Sequence, residues 1–179
     1  PPIGPALEAA GIECLRGYDA AHVASRPDLV VVGNAIRRDN PEAVAAEAAG
    51  LRRVSMSGAL REEFLANRRA VVVCGTHGKT TTTSIAAWVL ESAGLAPGWF
   101  IGGIPKNLPR GAAIGRVQRS LTAASARAPF VIEGDEYDAV YWHKQPKFYD
   151  YYGVSEDDVV VLTSIEHDHI DIYPDEAAY

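Results

Sequence analysis

The chain has 179 residues, 47% of them hydrophobic, enough to bury a core and too apolar for a disordered chain. A formal net charge of -6 and a pI near 5.3 argue against nucleic acid held by a broad basic surface, and leave room for a local phosphate site. No apolar run approaches the roughly 20 residues of a membrane span, no leader pattern opens the chain, and Cys14 and Cys74 lack disulfide or metal-ligand spacing, so the chain reads as soluble and cytoplasmic with both thiols in its core.

From Ile3 to Asn67 short β-branched runs alternate with alanine-rich stretches, the pattern of βα units around a parallel sheet. Leu29-Val30-Val31-Val32 reads as a buried strand closed by Gly33. Asn40-Pro41-Glu42 combines an N-cap, a proline at the first helical position and a first-turn acid, which predicts a helix over 41–49 ended by Gly50. A short strand at 53–55 leads to Ser57, a second cap, and to a helix over 59–67 with Leu60, Phe64 and Leu65 on one face.

A second unit starts at Arg69. Ala70-Val71-Val72-Val73-Cys74 is an apolar strand, followed by a glycine-rich turn and a helix over 79–93 stopped by Gly94. Further strands are expected at 99–101, 129–133 and 159–163. The glycine, proline and serine content between 102 and 128 predicts a long, partly irregular connection. A start without Met and a stop just after a strand end with polar residues suggest a fragment.

The strongest chemical signal is Gly75-Thr76-His77-Gly78-Lys79-Thr80-Thr81-Thr82-Thr83, set between an apolar strand and a helix. Glycines let backbone amides turn toward phosphate oxygens, the helix start adds its positive dipole end, Lys79 supplies a mobile cation, and Thr80 offers a hydroxyl to Mg2+. A plain glycine turn with an exposed lysine would not explain strand, glycines, lysine, hydroxyl and helix arriving in that order. His77 alone would signify little, since a loop histidine is more often a surface residue. Val73 stands where the usual phosphate loop has its first glycine, so this is a shorter form. In that form it resembles the ATP loop of the Mur ligases, which join amino acids or peptides to UDP-muramoyl precursors through an acyl phosphate.

Phe130-Val131-Ile132-Glu133-Gly134-Asp135-Glu136-Tyr137-Asp138 is an apolar strand running into four acids. It is similar to the family's Glu-Ala-Asp-Glu segment, with Gly134 in place of the commoner alanine, and the match implies Glu133 as a magnesium ligand. Ser164-Ile165-Glu166-His167-Asp168-His169-Ile170-Asp171 follows a second apolar strand and resembles the family's Asn-Ile-Glu-X-Asp-His-X-Asp. Ser164 replaces the asparagine, and His169 falls at the position that binds a second magnesium. Spacing alone would also allow a zinc pair from His167 and His169, but no third cluster with zinc spacing accompanies it. Asp168 and Asp171 either orient His169 or face water.

Gly33-Asn34-Ala35-Ile36, Ile101-Gly102-Gly103-Ile104-Pro105-Lys106-Asn107, and Tyr137-Asp138 through Lys144, Pro146, Lys147 and Phe148 look more like the tripeptide-adding branch of the family than the alanine-adding one. The fold class implied is α/β: a partial Rossmann-like N-terminal UDP-binding domain over 1–67, then a truncated P-loop NTPase-like central ATP-binding domain with a parallel sheet over 68–179. The C-terminal domain of the family is not expected in this stretch. The resemblance implies ATP and Mg2+ as cofactors, UDP-N-acetylmuramate and a murein tripeptide as substrates in peptidoglycan recycling, and neither nucleic acid nor membrane as partner. Lys79, Glu133 and His169 are the implied catalytic residues. Gly75, Thr76, His77, Gly78, Lys79, Thr80 and Thr81 would bind the nucleotide, and Thr80, Glu133 and His169 the metal. Ligation of L-alanine, or nucleotide binding without ligation, are the alternatives.

Overall fold

The computed structural model describes residues 4–116 and 127–166. A short helix α1 (Gly4–Ala9) and a 3-10 turn at Ala20–Val23 precede a parallel pair, β1 (Val30–Val32) and β2 (Arg53–Ser55), joined through α2 (Pro41–Ala48). The cap of α2 is the predicted one: Asn40 Oδ1 accepts from the amides of Glu42 and Ala43 at 3.0 and 3.3 Å. Strand β1 is shorter and less buried than expected. It begins at Val30, and Val31 is half exposed, because a two-stranded ribbon covers only one of its faces.

The next helix differs from its sequence reading. It starts at Met56 as α3 (Met56–Leu60) and widens into a π turn at Arg61–Leu65, and its cap is Ser55, whose Oγ accepts from the Gly58 amide at 2.9 Å. Ser57 is wholly buried inside the first turn and donates to Asp150 Oδ2 at 2.5 Å, so its hydroxyl is spent on a distant partner and not on the cap.

The remaining strands are β3 (Arg69–Cys74), β4 (Gly98–Phe100), β5 (Ala112–Ala113), β6 (Pro129–Glu133), β7 (Asp138–Val140), β8 (His143–Pro146) and β9 (Val159–Leu162), with α4 (Lys79–Ser92) after β3. Among the described residues five of them form one sheet in the order β5-β4-β6-β3-β9, parallel except for β5. Strands β7 and β8 form a separate antiparallel hairpin, followed by a 3-10 turn at Lys147–Asp150.

Alternation along the strands builds two cores. Val71, Trp99 and Val131 point to one face and pack with Ala87 and Leu90 of α4. Ala70, Val72, Phe130 and Ile132 point to the other and meet Leu65, Phe64 and Tyr151. Over β3 and β6 the sheet is thus covered on both faces, as a parallel sheet requires, by α4 on one side and by the π turn with the 147–152 segment on the other, while the edge strand β9 is largely exposed among the described residues. Cys74 is buried as expected; Cys14 is only half buried and lies outside both cores. Among the described residues no helix is long and apolar enough to cross a membrane.

Candidate nucleotide and metal site

Strands β3, β4, β6 and β9 run parallel, so their carboxyl ends, and the loops that leave them, gather at one edge of the sheet. Residues 75–78 lie between β3 and α4. Gly75 has φ +119, and a Cβ there would stand 2.5 Å from Thr163 Oγ1 and 2.6 Å from Ser164 O. Only glycine lets the loop pass this close to the end of β9. Gly78, at φ +81, is the residue before α4 and offers no side-chain cap to the first-turn amides, which have no intrahelical partner in any helix.

Two loop amides expected to face a ligand are already engaged. The Thr76 amide donates to Ser164 O and the His77 amide to Ser164 Oγ, both at 3.0 Å. Thr76 Oγ1 also donates to Glu166 O at 2.9 Å. Ser164, the residue that replaces asparagine in the 164–171 segment, therefore anchors the loop. The His77 ring is exposed, 3.5 Å from the Glu166 carboxylate. The amides at the start of α4, from Lys79 through Thr81, are those placed to receive an anion.

Lys79 folds back over the loop. Its Nζ donates to Gly75 O at 2.6 Å, Thr76 O at 3.1 Å and Glu136 Oε1 at 2.8 Å, and the Glu136 side chain is only 8% exposed. An ammonium has three donors, and all three are used. Next to it, Thr80 Oγ1 donates to Glu133 Oε1 at 2.7 Å, while the Gly102 amide donates to Glu133 Oε2 at 2.8 Å. A Cβ on Gly102 would lie 3.2 Å from that carboxylate, so the glycine permits the close approach.

The acids after β6 are sorted among separate partners. Glu133 takes a hydroxyl and an amide, Glu136 takes Lys79, and Asp135 takes Lys147 at 2.9 Å and the Tyr137 amide at 2.8 Å. Three carboxylates face two ammonium groups, and among the described residues no cation pairs with Glu133. An oxygen pair, Thr80 Oγ1 and Glu133, with one negative charge uncompensated suits Mg2+, which takes one or two protein oxygens and completes its shell with phosphates and water. Among the described residues no group of three His, Cys, Asp or Glu could hold a metal ion. Burial, with Asp135 and Asp150 nearby, pushes the Tyr151 phenol well above its ordinary value, and burial likewise raises the Cys74 thiol.

The structure thus brings Gly75, Thr76, His77, Gly78, Lys79, Thr80, Thr81 and Glu133 to one edge, while His169, with His167, Asp168 and Asp171, lies outside the described residues. Ser164, Gly102, Glu136 and Lys147 were not singled out as site residues by the sequence. Glu136 falls in the acid run after β6, Ser164 at the family's asparagine position, and Gly102 and Lys147 in segments that resemble the family, but the sequence assigns none of the four a role.

Residues 73–179 match the family described as Mur ligase middle domain, and residues 2–68 match Mur ligase family, catalytic domain. UDP-N-acetylmuramate-L-alanyl-gamma-D-glutamyl-meso-2,6-diaminoheptandioate ligase of Escherichia coli is 39% identical over 175 residues, 98% of this chain and 35% of that protein. UDP-N-acetylmuramate-L-alanine ligase of Roseiflexus sp. is 39% identical over 169 residues, 94% of this chain and 31% of that one. Among solved structures, the UDP-N-acetylmuramate:L-alanyl-gamma-D-glutamyl-meso-diaminopimelate ligase of Neisseria meningitides superposes with a TM-score of 0.86 at 41% identity, over 99% of this chain and 54% of that one. The chain spans about a third of the length of these curated relatives.

Proposed function

The chain belongs to the Mur ligase family, and on that premise we propose that it is the nucleotide-binding part of an ATP-dependent ligase joining L-alanyl-gamma-D-glutamyl-meso-diaminopimelate to UDP-N-acetylmuramate. Residues 1–67 belong to the side that holds the UDP moiety and residues 68–179 to the side that holds ATP. The observation that carries this reading is the Thr80 hydroxyl 2.7 Å from Glu133, beside Lys79, at the turn from β3 into α4.

A carboxylate is a poor electrophile, and phosphorylation gives its carbonyl carbon a leaving group that the incoming amine can displace. The chain's own residues must bring two anions together, the acceptor carboxylate and the γ-phosphate. Lys79 lies against the loop carbonyls with its ammonium held by Glu136, so nucleotide binding exchanges one of these acceptors for a phosphate oxygen without moving the cation far. Thr80 and Glu133 would hold Mg2+, with His169 as a ligand to a second ion. When bound, these ions screen the charge repulsion and stabilise the transferring phosphoryl group. Glu133 is kept in place by the Gly102 amide, and the loop by Ser164.

In the full-length protein, Lys79→Ala should lower UDP-N-acetylmuramate-dependent ADP release at least about 100-fold, the scale on which losing one preorganised donor to a developing charge is felt. Near-normal turnover would discard the assignment. Supplying the tripeptide or free L-alanine as the amine separates the two branches of the family. ADP release that proceeds only with alanine would replace the tripeptide reading by the alanine one, and no release with either would leave a nucleotide-binding module.

A further inference from the structure

We propose that Lys147 is a positioning residue for the metal carboxylate: by holding Asp135 it fixes the turn that presents Glu133 to the metal and Glu136 to Lys79. The proposal rests on the reading of Glu133 as a magnesium ligand. Lys147 lies at the start of the 3-10 turn after the β7-β8 hairpin, 14 positions from Glu133 in sequence, and only 6% of it is exposed. Lysine is rarely buried to this extent unless it is paired. Its Nζ donates to Asp135 Oδ2 at 2.9 Å, and its backbone amide donates to Tyr137 O at 3.0 Å. The Tyr137 amide in turn donates to Asp135 Oδ1 at 2.8 Å. One residue thus closes both ends of the turn over 135–137.

The turn has no slack at its other side. The Gly134 amide donates to Val73 O at 2.7 Å, and a Cβ on Gly134 would stand 2.8 Å from the Cβ of Phe148, the residue after Lys147. Residues 133 and 136 flank this clamped segment, so the directions of their carboxylates follow from it. The buried end of this pair is the Lys147 ammonium, whereas the Asp135 side chain is 44% exposed. Without that ammonium the Asp135 carboxylate loses its anchor beneath the turn and is free to swing into solvent, and the turn over 135–137 that sets the directions of Glu133 and Glu136 loosens with it. A cavity of about 90 Å³ lined by Lys147, Asp135, Glu133, Gly102 and Met56 adjoins the pair, which leaves room for a larger cation at position 147.

The test uses the full-length protein, a fluorescent ATP analogue, and titration of its binding with Mg2+. Lys147→Met should raise the Mg2+ concentration for half-maximal binding about tenfold or more, leave analogue affinity in EDTA within about twofold, and be largely reversed by Lys147→Arg. Asp135→Asn removes the same ion pair with almost no change of shape and should shift the midpoint in the same direction. It carries the test alone should Lys147→Met not fold. An unchanged or lowered midpoint in the variants overturns the proposal, as does a parallel loss of metal-free affinity or a failure of arginine to rescue. Absence of any Mg2+-dependent binding in the unmodified protein would instead overturn the functional reading on which the proposal stands.

Discussion

Two glycines at the site are required for different reasons, and their replacement separates backbone strain from crowding. At Gly75 an alanine would have to adopt φ +119 and place its Cβ 2.5 Å from Thr163 Oγ1. The first costs about 1–3 kcal/mol and the second a similar amount, because the Thr163 amide and hydroxyl both donate to Cys74 O and hold that side chain in place. Gly134 has no such φ, and its hypothetical Cβ meets Phe148 Cβ at 2.8 Å and Cys74 Cβ at 3.1 Å. Because the contact is with a Cβ, no rotamer of Phe148 relieves it, and the whole 147–150 turn must shift, at about 1–3 kcal/mol. Urea denaturation should therefore find Gly75→Ala the more destabilised of the two, by roughly 1–3 kcal/mol. Equal stability would show that the loop relaxes away from β9.

The start of α3 shows how local chemistry and tertiary demand compete for one residue type. Ser55 and Ser57 are both plausible caps by sequence, and their hydroxyls lie 3.0 Å apart. Ser55 takes the Gly58 amide, and Ser57 reaches Asp150. Ser55→Ala should cost about 1 kcal/mol, the usual value of a cap. Ser57→Ala leaves a part-buried carboxylate without its hydroxyl donor and should cost more, about 2 kcal/mol; denaturation midpoints giving the reverse order would restore Ser57 as the cap. What was legible here, and what was not, follows from range. The β3–loop–α4 unit and the end of β6 could be read because their signals are local: a continuous apolar run, glycines, and hydroxyl-rich residues at a helix start. The hairpin β7-β8 could not, because Asp138, His143 and Lys144 carry no strand pattern, and the pair is held by the Lys144–Asp138 contact at 2.8 Å and by its seat against the rest of the chain. The pairing of Lys79 with Glu136 and of Glu133 with Gly102 was not legible for the same reason: each partner comes from another strand end.

At the scale of the whole molecule, the β7-β8 hairpin and the segment that follows it join what precedes β3 to the acids of the site. Arg61 Nη1 donates to Asp150 O at 2.9 Å and Tyr152 O at 3.1 Å, Ser57 holds the Asp150 carboxylate, and Arg53 donates to Tyr141 at 3.1 Å while its guanidinium lies 5.3 Å over the Trp142 ring. From Asp150 it is three residues back to Lys147 and thence to Asp135. Leu60, Phe64 and Leu65 close the same contact from the apolar side, against Tyr151, Phe148 and Tyr152. The first unit is therefore connected to the turn carrying Glu133 through a run of hydrogen bonds and packed rings. Arg61→Ala removes two bonds from a charged donor, together worth about 3 kcal/mol or more, while leaving every residue of the sheet intact. Hydrogen exchange should then show the amides of β1, β2 and α2 losing protection ahead of those in β3 and β6, because two short parallel strands have little core of their own and depend on this junction. Uniform loss of protection across both units would mean that they unfold as one body, and unchanged protection would mean that the apolar contact alone suffices.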